Sequence, residues 1–167
     1  TKMSSRNSTA SRMNSPSFYA SPGKELALAG LCFAMKDLSC MRSHAEAARA
    51  IYEKLSRENP EVPENYASLG LAYAYLGRKD DALRAGNQAI GLLPISKDAF
   101  TGPEYEANQA GILTIVGEYE QAIDKLEYLM SIPAGWHISL PHLQKEPRWD
   151  PLRDRPRFKL LLEKYSK

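Results

Sequence analysis

Few residues in this sequence have the types and the spacing that metal chemistry requires. The candidate ligands are three histidines and two cysteines: His44, His137, His142, Cys32 and Cys40. His137 and His142 lie close enough in sequence to reach one metal ion, but neither a nearby cysteine nor an H-E-x-x-H helix accompanies them. The spacing of the cysteines matches no zinc or redox motif. We therefore expect no metal site and no cofactor.

The cysteine pair also bears on the cellular compartment. On one continuous helix, Cys32 and Cys40 would lie ~12 Å apart along the helix axis. A disulfide requires Cα atoms within ~7 Å of each other. A continuous helix would therefore keep both thiols free, and free thiols suit a reducing compartment. On this basis the sequence predicts a cytoplasmic protein.

Motifs for nucleophilic, nucleotide-dependent and acid–base catalysis do not occur in the sequence. No serine lies in a G-x-S-x-G motif, and there is neither a Walker loop nor a G-x-G-x-x-G run. The paired acids lie at or near predicted helix starts, where negative charge favours the helix dipole. These pairs are Asp80 with Asp81, Glu104 with Glu106, and Glu118 with Glu120. We place His44 in a helix-opening turn as well, and we expect no enzymatic activity.

Length and composition indicate what kind of chain this is and which part of it can fold. The 167 residues are 43% apolar and 25% charged, with a net charge of +2, which is ordinary for one globular domain. No stretch approaches the ~18 consecutive apolar residues of a membrane span, so no membrane partner is expected. Residues 1–23 contain seven serines and no Leu, Ile or Val. We expect this segment to be a disordered or cloning-derived tail.

Helical periodicity dominates residues 24–133, and the clearest internal repeat within them is Pro63–Pro94. When Pro63 is counted as position 1, characteristic residues fall at positions 4, 7, 8, 11, 20, 27 and 32. These residues are Tyr66, Leu69, Gly70, Tyr73, Ala82, Ala89 and Pro94. The spacing resembles the tetratricopeptide repeat (TPR), a 34-residue unit of two antiparallel helices. Gly86 departs from the pattern at position 24, usually a large aromatic, and we expect either a local gap or a bulky neighbour there.

Local signals predict the ends of the first helix in this repeat. Pro63 suits the first helical turn, because its missing N–H has no helical partner there in any case. Gly77 can end the helix with a left-handed backbone.

A second copy of the unit lies upstream of this repeat. Positions 20, 24 and 27 of a unit 34 residues earlier are occupied by Ala48, Tyr52 and Leu55. Ser43 and Glu46 form a capping box that would open its second helix. Its first helix, over residues 24–36, matches the repeat poorly, as terminal units often do.

The third copy of the unit is Pro103–Ile132. Gly117 and Ala122 occupy its positions 15 and 20. An insertion separates it from the second copy. Three units are the number from which a continuous core is usually built.

The C-terminal residues 134–167, which we call the wrap, are rich in proline and in large apolar side chains. Prolines recur too often for a long helix, yet Trp136 and Trp149 would have no use in a flexible linker. A final helix is predicted from Pro156 to Tyr165. The run RWDPLRDRPRF, with the residues from Ala45 onward, resembles the C-terminal end of bacterial TPR modules. Such modules often follow a protein kinase, a nucleotide cyclase or a winged-helix regulator.

The TPR resemblance implies a concave groove lined by set positions of the first helices. In the second unit these positions hold Glu64, Ala67, Leu71, Ala74 and Tyr75, and in the third they hold Glu104, Ala107, Gly111, Thr114 and Ile115. Chaperone-type TPR grooves bind a terminal carboxylate through Lys and Asn side chains. Ala67 and Leu71 occupy those positions here, so the resemblance does not extend to carboxylate binding. An apolar floor with Glu64 and Glu104 at its rim favours an apolar or basic peptide. The alternative is that Leu71 and Tyr75 only pack between repeats.

The sequence therefore predicts an all-α, TPR-type solenoid of about three helix pairs, followed by the wrap and its capping helix. Its predicted function is protein–protein interaction through the groove, as an adaptor or sensory module of a bacterial signalling protein. The alternative is a homo-oligomerisation module. A third class is nucleic-acid binding through five basic residues of the wrap: Arg148, Arg153, Arg155, Arg157 and Lys159. Asp150 and Asp154 are interleaved with them, which argues against this class.

Overall fold

Helices are the regular elements throughout residues 22–133 and 138–166, the part of the chain that the computed structural model describes. The bounds are α1 Pro22–Ala34, α2 Leu38–Glu58, α3 Pro63–Tyr75, α4 Lys79–Leu92, α5 Gly102–Ile115, α6 Tyr119–Ser131, α7 Leu140–Lys145 and α8 Pro156–Lys164. A 3₁₀ helix, Pro147–Leu152, lies between α7 and α8. The predictions for residues 1–21, Trp136 and His137 fall outside the described residues.

The first six helices pack as sequential antiparallel pairs. α1 packs on α2, α3 on α4, and α5 on α6, while α3 also contacts α2 and α5 and so joins the three pairs. The predicted all-α fold of consecutive helix pairs is confirmed at this level.

Each pair is closed by the same kind of turn, in which one residue has a left-handed backbone. Gly77 (φ 74°) follows α3 and Gly117 (φ 86°) follows α5. After α3, the Arg78 N–H donates to the Tyr73 carbonyl at 2.9 Å, which satisfies a carbonyl at the helix end. Lys36 (φ 58°) has this conformation after α1, although it is not glycine. The chain therefore reverses abruptly after each first helix.

The start of the first helix pair differs from the prediction. α1 begins at Pro22 and ends at Ala34, two residues earlier at each end than expected. α2 begins at Leu38, where Asp37 accepts a hydrogen bond from the Cys40 N–H at 2.9 Å. The predicted capping box was wrong, because Ser43 and Glu46 lie inside α2 together with His44. The left-handed turn and the aspartate cap open the helix earlier than the repeat spacing indicated.

The close packing of α3 on α4 and on α5 depends on residues with little or no side chain. A Cβ at Gly70 would lie 3.1 Å from the Ala82 carbonyl oxygen and 2.7 Å from Ile112 Cδ1. The space beside Gly86 is filled by Gln109 and Ile112, both from α5. A bulky neighbour thus replaces the missing aromatic residue, which was one of the two predicted outcomes.

Most of the other repeat positions lie in the core or pack against it. Ala82, Ala89 and Ala122 are fully buried in α4 and α6, where they allow the neighbouring helix to approach. Leu69 and Tyr73 of α3 pack against Tyr52 of α2. Tyr66 packs beside Ala89 and Tyr105, and Pro94 lies two residues after Leu92, the last residue of α4.

The wrap contributes the largest side chains of the core. Trp149, Phe158, Leu143 and Leu152 have no exposed surface and pack with residues of α5 and α6 such as Leu126. The residues of the wrap that the structure describes are therefore an integral part of the fold around the third helix pair.

A hydrogen bond between α3 and α2 should make the stability pH-dependent at both extremes. The Tyr73 hydroxyl donates to Glu53 Oε1 at 2.7 Å. Hydrogen bonds from Tyr73 and Arg49 hold the pKa of Glu53 below its ordinary value. Burial and the Glu53 carboxylate raise the pKa of Tyr73 to about 12.

These two shifts make the stability depend on pH. Because folding lowers the pKa of Glu53, its carboxylate stabilises the fold at any pH above its unfolded pKa of ~4.3, and this stabilisation is lost as the pH falls further. The raised pKa of Tyr73 stabilises the fold up to ~pH 10, and this is lost between pH 10 and 12.

We expect Tyr73→Phe to lower the free energy of unfolding by about 1 kcal/mol at pH 7. The loss of stability between pH 10 and 12 should become smaller in the variant. Urea unfolding at pH 3, 7 and 11 measures both effects. Tyr128→Phe is the control, since the Tyr128 side chain is 49% exposed on α6. Identical pH profiles for the wild type and Tyr73→Phe would contradict the assignment.

Candidate partner-binding cavity

The residues of the predicted groove are mostly buried. Glu64 and Glu104 are exposed and Ile115 is partly exposed. The buried residues are Ala67, Leu71, Ala74, Tyr75, Ala107, Gly111 and Thr114. The predicted set therefore does not form one open groove floor.

Several of these residues have structural partners in the neighbouring helix. Tyr105 donates a hydrogen bond to Glu64 Oε1 at 2.8 Å, which joins α5 to α3. Burial, followed by this hydrogen bond, raises the pKa of Tyr105. Ala67 also packs against Tyr105. The Thr114 hydroxyl instead donates within α5, to the Ala110 carbonyl at 2.9 Å. This end of the predicted groove is a contact between helix pairs.

The wrap covers another part of the predicted groove. The Arg148 side chain lies on Gly111, where a Cβ would be 2.8 Å from Arg148 Cδ. Arg148 belongs to the 3₁₀ helix, which contacts both α5 and α1. The repeat pattern contained no signal for this path, because the course of the wrap is set by tertiary packing. The one local hint was the absence of a side chain at Gly111.

An apolar cavity of about 540 Å³ remains between α1, α3 and the start of the 3₁₀ helix. Two predicted groove residues, Leu71 and Tyr75, lie in its wall. Most of the remaining wall comes from α1, including Leu26, Gly30, Leu31, Phe33 and Ala34. A volume of this size is typical of a ligand-binding site.

The shape of the cavity depends on Tyr75. Its ring lies 5.6 Å from the Phe33 ring, measured between centroids. Its hydroxyl lies against Gly30, where a Cβ would be only 3.2 Å away. Burial raises the pKa of Tyr75, so the hydroxyl remains neutral in the physiological range. Tyr75 is therefore both a core residue and a wall of the cavity.

The charged edge of the cavity is internally paired. Glu146 lies 3.1 Å from Arg148 Nη2 and 2.6 Å from His142 Nε2. Arg148 thus offsets the charge of Glu146, and Pro147 between them adds apolar surface. The site therefore favours an apolar occupant over a charged one.

Exposed apolar side chains lie beside the cavity, from the end of α1 through the turn to the first residue of α2. Leu31, Met35 and Leu38 are 55%, 67% and 65% exposed, and we call them the α1 apolar patch. Leu31 also lines the cavity, and Leu38 lines an adjoining cavity of about 350 Å³ that reaches Pro151. The sequence prediction missed this surface, because α1 matched the repeat poorly. The density of Leu, Met and Phe between residues 26 and 38 was the available signal.

The cysteines are not free, so that prediction was wrong. Cys32 and Cys40 are joined by a disulfide, with Cα atoms 5.7 Å apart. The reason is that the helix is not continuous: the left-handed turn at Lys36 places the two cysteines on facing helices. The argument for a cytoplasmic location from free thiols therefore no longer holds. Among the described helices, none is long and apolar enough to cross a bilayer.

The five basic residues of the wrap that were candidates for phosphate binding contact acids or aromatic rings within the fold. Arg157 lies 2.6 Å from both Asp124 and Glu127 of α6. Arg153 lies 2.7 Å from Asp150, and Lys159 lies 3.8 Å from Asp154. Arg155 stacks 4.2 Å from the centre of the Tyr119 ring. Phosphates would therefore have to compete with contacts already made within the fold.

The paired acids lie at or near helix starts, as the sequence predicted. Asp80 and Asp81 are in the first turn of α4, Glu104 is in that of α5, and Glu120 is in that of α6. Glu106 is one turn further along α5 and pairs with Lys125 of α6. Glu118 directly precedes α6 and forms an ion pair with Lys79 of α4, which links two helix pairs. The carboxylates in the first turns favour the helix dipoles.

Comparison of the chain with protein families, with curated proteins and with solved structures finds no match.

Proposed function

We propose that the chain is a TPR-type interaction module that binds an apolar helical segment of a partner protein. The binding site is the cavity between α1, α3 and the wrap, together with the α1 apolar patch. The observation that carries the proposal is the continuity of the two: Leu31 belongs to both. The TPR assignment is supported by three helix pairs with the same left-handed closing turn and by the small residues Gly70 and Ala82 at the pair contact.

A helical ligand suits the physical character of this surface. An amphipathic helix presents apolar anchors at i, i+3, i+4 and i+7, which can fill a cavity and cover a neighbouring patch at once. Burying an exposed Leu or Met side chain contributes about 1.5–3 kcal/mol each. Because Glu146 is already paired with Arg148, the ligand needs no charge for this edge. The occupant we propose is therefore apolar, the first of the two ligand types that the sequence suggested.

The wider role we propose is that of an adaptor or sensory module. It rests on the resemblance of the C-terminal run to bacterial TPR modules that accompany kinases, cyclases or winged-helix regulators. We propose neither catalysis nor nucleic-acid binding. A cytoplasmic location stays a prediction.

The binding proposal can be tested with displayed random peptides, selected on the full chain and then synthesised with a fluorophore. We expect Leu31→Glu to weaken the selected peptides at least tenfold in fluorescence anisotropy, because it introduces a charge at the junction of cavity and patch. Leu160→Glu is the matched control, since Leu160 is 64% exposed on α8, in another part of the fold. Peptides that bind both variants equally would refute the site.

Self-association through the α1 apolar patch is the second candidate function. The observation in its favour is the exposure of three large apolar side chains, Leu31, Met35 and Leu38, within one short stretch of the chain. Light scattering after size exclusion distinguishes the two functions. A mass of 18.7 kDa that does not change with concentration excludes self-association. A dimer that dissociates in Leu31→Glu supports it.

A further inference from the structure

Three potential metal ligands lie together near the closed end of the first helix pair. Cys32 of α1 and Cys40 and His44 of α2 place their ligand atoms within 4.8 Å of one another. Cys32 is buried, whereas Cys40 and His44 are partly exposed. The group is thus close enough for a common ligand and open enough for an ion to enter.

A fourth residue orients the histidine. His44 Nδ1 lies 2.7 Å from Glu25 Oε2, and the Glu25 side chain is only 17% exposed. Metal-binding histidines almost always donate their other ring N–H to a carboxylate, a backbone carbonyl or water, which fixes the orientation of the ring. Glu25 does not belong to the group of ligand atoms itself. Because Glu25 engages Nδ1, Nε2 is the nitrogen of His44 that is left for a metal ion.

We propose that the reduced form of the chain binds one Zn²⁺ through Cys32, Cys40 and His44. Two thiolates and one imidazole are ligands that Zn²⁺ prefers, and water would complete four-coordination. Hard cations such as Ca²⁺ and Mg²⁺ prefer oxygen and are not expected to bind.

The ligand atoms lie near the separations that a zinc ion requires. Zn–S bonds of ~2.3 Å and Zn–N bonds of ~2.0 Å place tetrahedral ligand atoms about 3.5–3.8 Å apart. After reduction the two sulfur atoms, now bonded to each other, would have to move apart, whereas the His44 nitrogen already lies within 4.8 Å of both.

The disulfide and the metal site exclude each other, because both use the sulfur atoms of Cys32 and Cys40. A dithiol reductant transfers two electrons and two protons to the Cys32–Cys40 bond and becomes a disulfide itself. The two cysteine thiols then lose their protons as they bind Zn²⁺, while neutral His44 donates a nitrogen lone pair. In either state a covalent or coordinate link joins α1 to α2, and α1 forms one wall of the proposed binding cavity.

The test uses the full chain and Co²⁺ as a spectroscopic probe, followed by Zn²⁺. After reduction with a phosphine, we expect one Co²⁺ per chain, with thiolate-to-cobalt charge-transfer bands and intense visible bands of a tetrahedral site. Zn²⁺ should displace the cobalt. The oxidised chain should give no such bands. Bands of equal intensity in the oxidised chain, or none in the reduced chain, would overturn the proposal.

Variants assign the ligands. Cys32→Ser and Cys40→Ser should each weaken Zn²⁺ binding more than 100-fold in a chelator competition, and His44→Ala should weaken it at least tenfold. Glu25→Gln, which keeps the size of the side chain, should weaken it about tenfold to 100-fold. His142→Ala is the control and should bind as the wild type does. Unchanged affinity in His44→Ala would refute the site.

A measurement on the wild type keeps the test independent of how the variants fold. X-ray absorption of the Zn²⁺-loaded reduced chain should show two sulfur neighbours at ~2.3 Å, with nitrogen or oxygen neighbours at ~2.0 Å. A shell of oxygen and nitrogen alone would overturn the proposal.

Discussion

Trp149→Ala should lower the free energy of unfolding by about 3–5 kcal/mol, the usual range for deleting a fully buried tryptophan. Trp149 has no exposed surface and packs in the cluster that joins α5 and α6 to the wrap. Its indole N–H has no hydrogen-bond partner within the described residues, so its contribution is packing. The substitution would leave a large cavity beneath the 3₁₀ helix. Urea unfolding followed by circular dichroism measures the loss.

Leu160→Ala is the matched control for this prediction. Leu160 lies in the same C-terminal part of the chain but is 64% exposed, so its truncation should change the free energy of unfolding by less than about 0.5 kcal/mol. Similar losses in the two variants would mean that the wrap is not part of the core. Because Trp149 adjoins Arg148, its loss should also weaken peptide binding at the cavity.

Gly70→Ala should lower the free energy of unfolding by about 1–3 kcal/mol, although alanine is the better helix former. A Cβ at this position would meet the Ala82 carbonyl oxygen and the Gly86 nitrogen, both at 3.1 Å, besides Ile112 Cδ1 at 2.7 Å. The Ile112 methyl group can rotate away, but the two backbone atoms belong to α4. α3 and α4 would therefore have to separate.

Gly91→Ala tests the same substitution where nothing opposes it. Gly91 lies in the last turn of α4, and a Cβ there would have no heavy atom within 4 Å apart from its chain neighbours and the backbone of its own helix. We expect the free energy of unfolding to rise by about 0.5–1 kcal/mol, the helix-propensity difference. Thermal or urea unfolding of the two variants should thus give opposite signs. The same sign in both would contradict the close packing of α3 on α4.

The features predicted correctly from the sequence are those fixed by local chemistry. Pro63 marks the first residue of α3 because a missing N–H does no harm there. Gly77 and Gly117 mark the turns because each needs a left-handed backbone. Asp80 and Asp81 mark the start of α4 through the helix dipole. These signals are contained in a few neighbouring residues and can be read without knowledge of the fold.

The features that the sequence did not predict depend on contacts between distant segments. Lys36 has a left-handed backbone, which glycine adopts far more often than lysine. The break between α1 and α2, and with it the disulfide, was therefore not predicted. The path of Arg148 across Gly111 joins two elements that are distant in sequence, the 3₁₀ helix and α5. Of the candidate cavity, only Leu71 and Tyr75 were anticipated, because the α1 wall lies outside the recognisable repeat.

The contact of the 3₁₀ helix with both α5 and α1 has a consequence for how the molecule comes apart. Stacked helix pairs that touch only their sequential neighbours behave as a one-dimensional array, which can fray from either terminus. Here the 3₁₀ helix, near the C-terminus, contacts α1 of the first pair and α5 of the third. Unfolding of either outer pair would therefore break contacts that also hold the 3₁₀ helix against the other. The chain should therefore unfold in one cooperative transition, even though its architecture is modular.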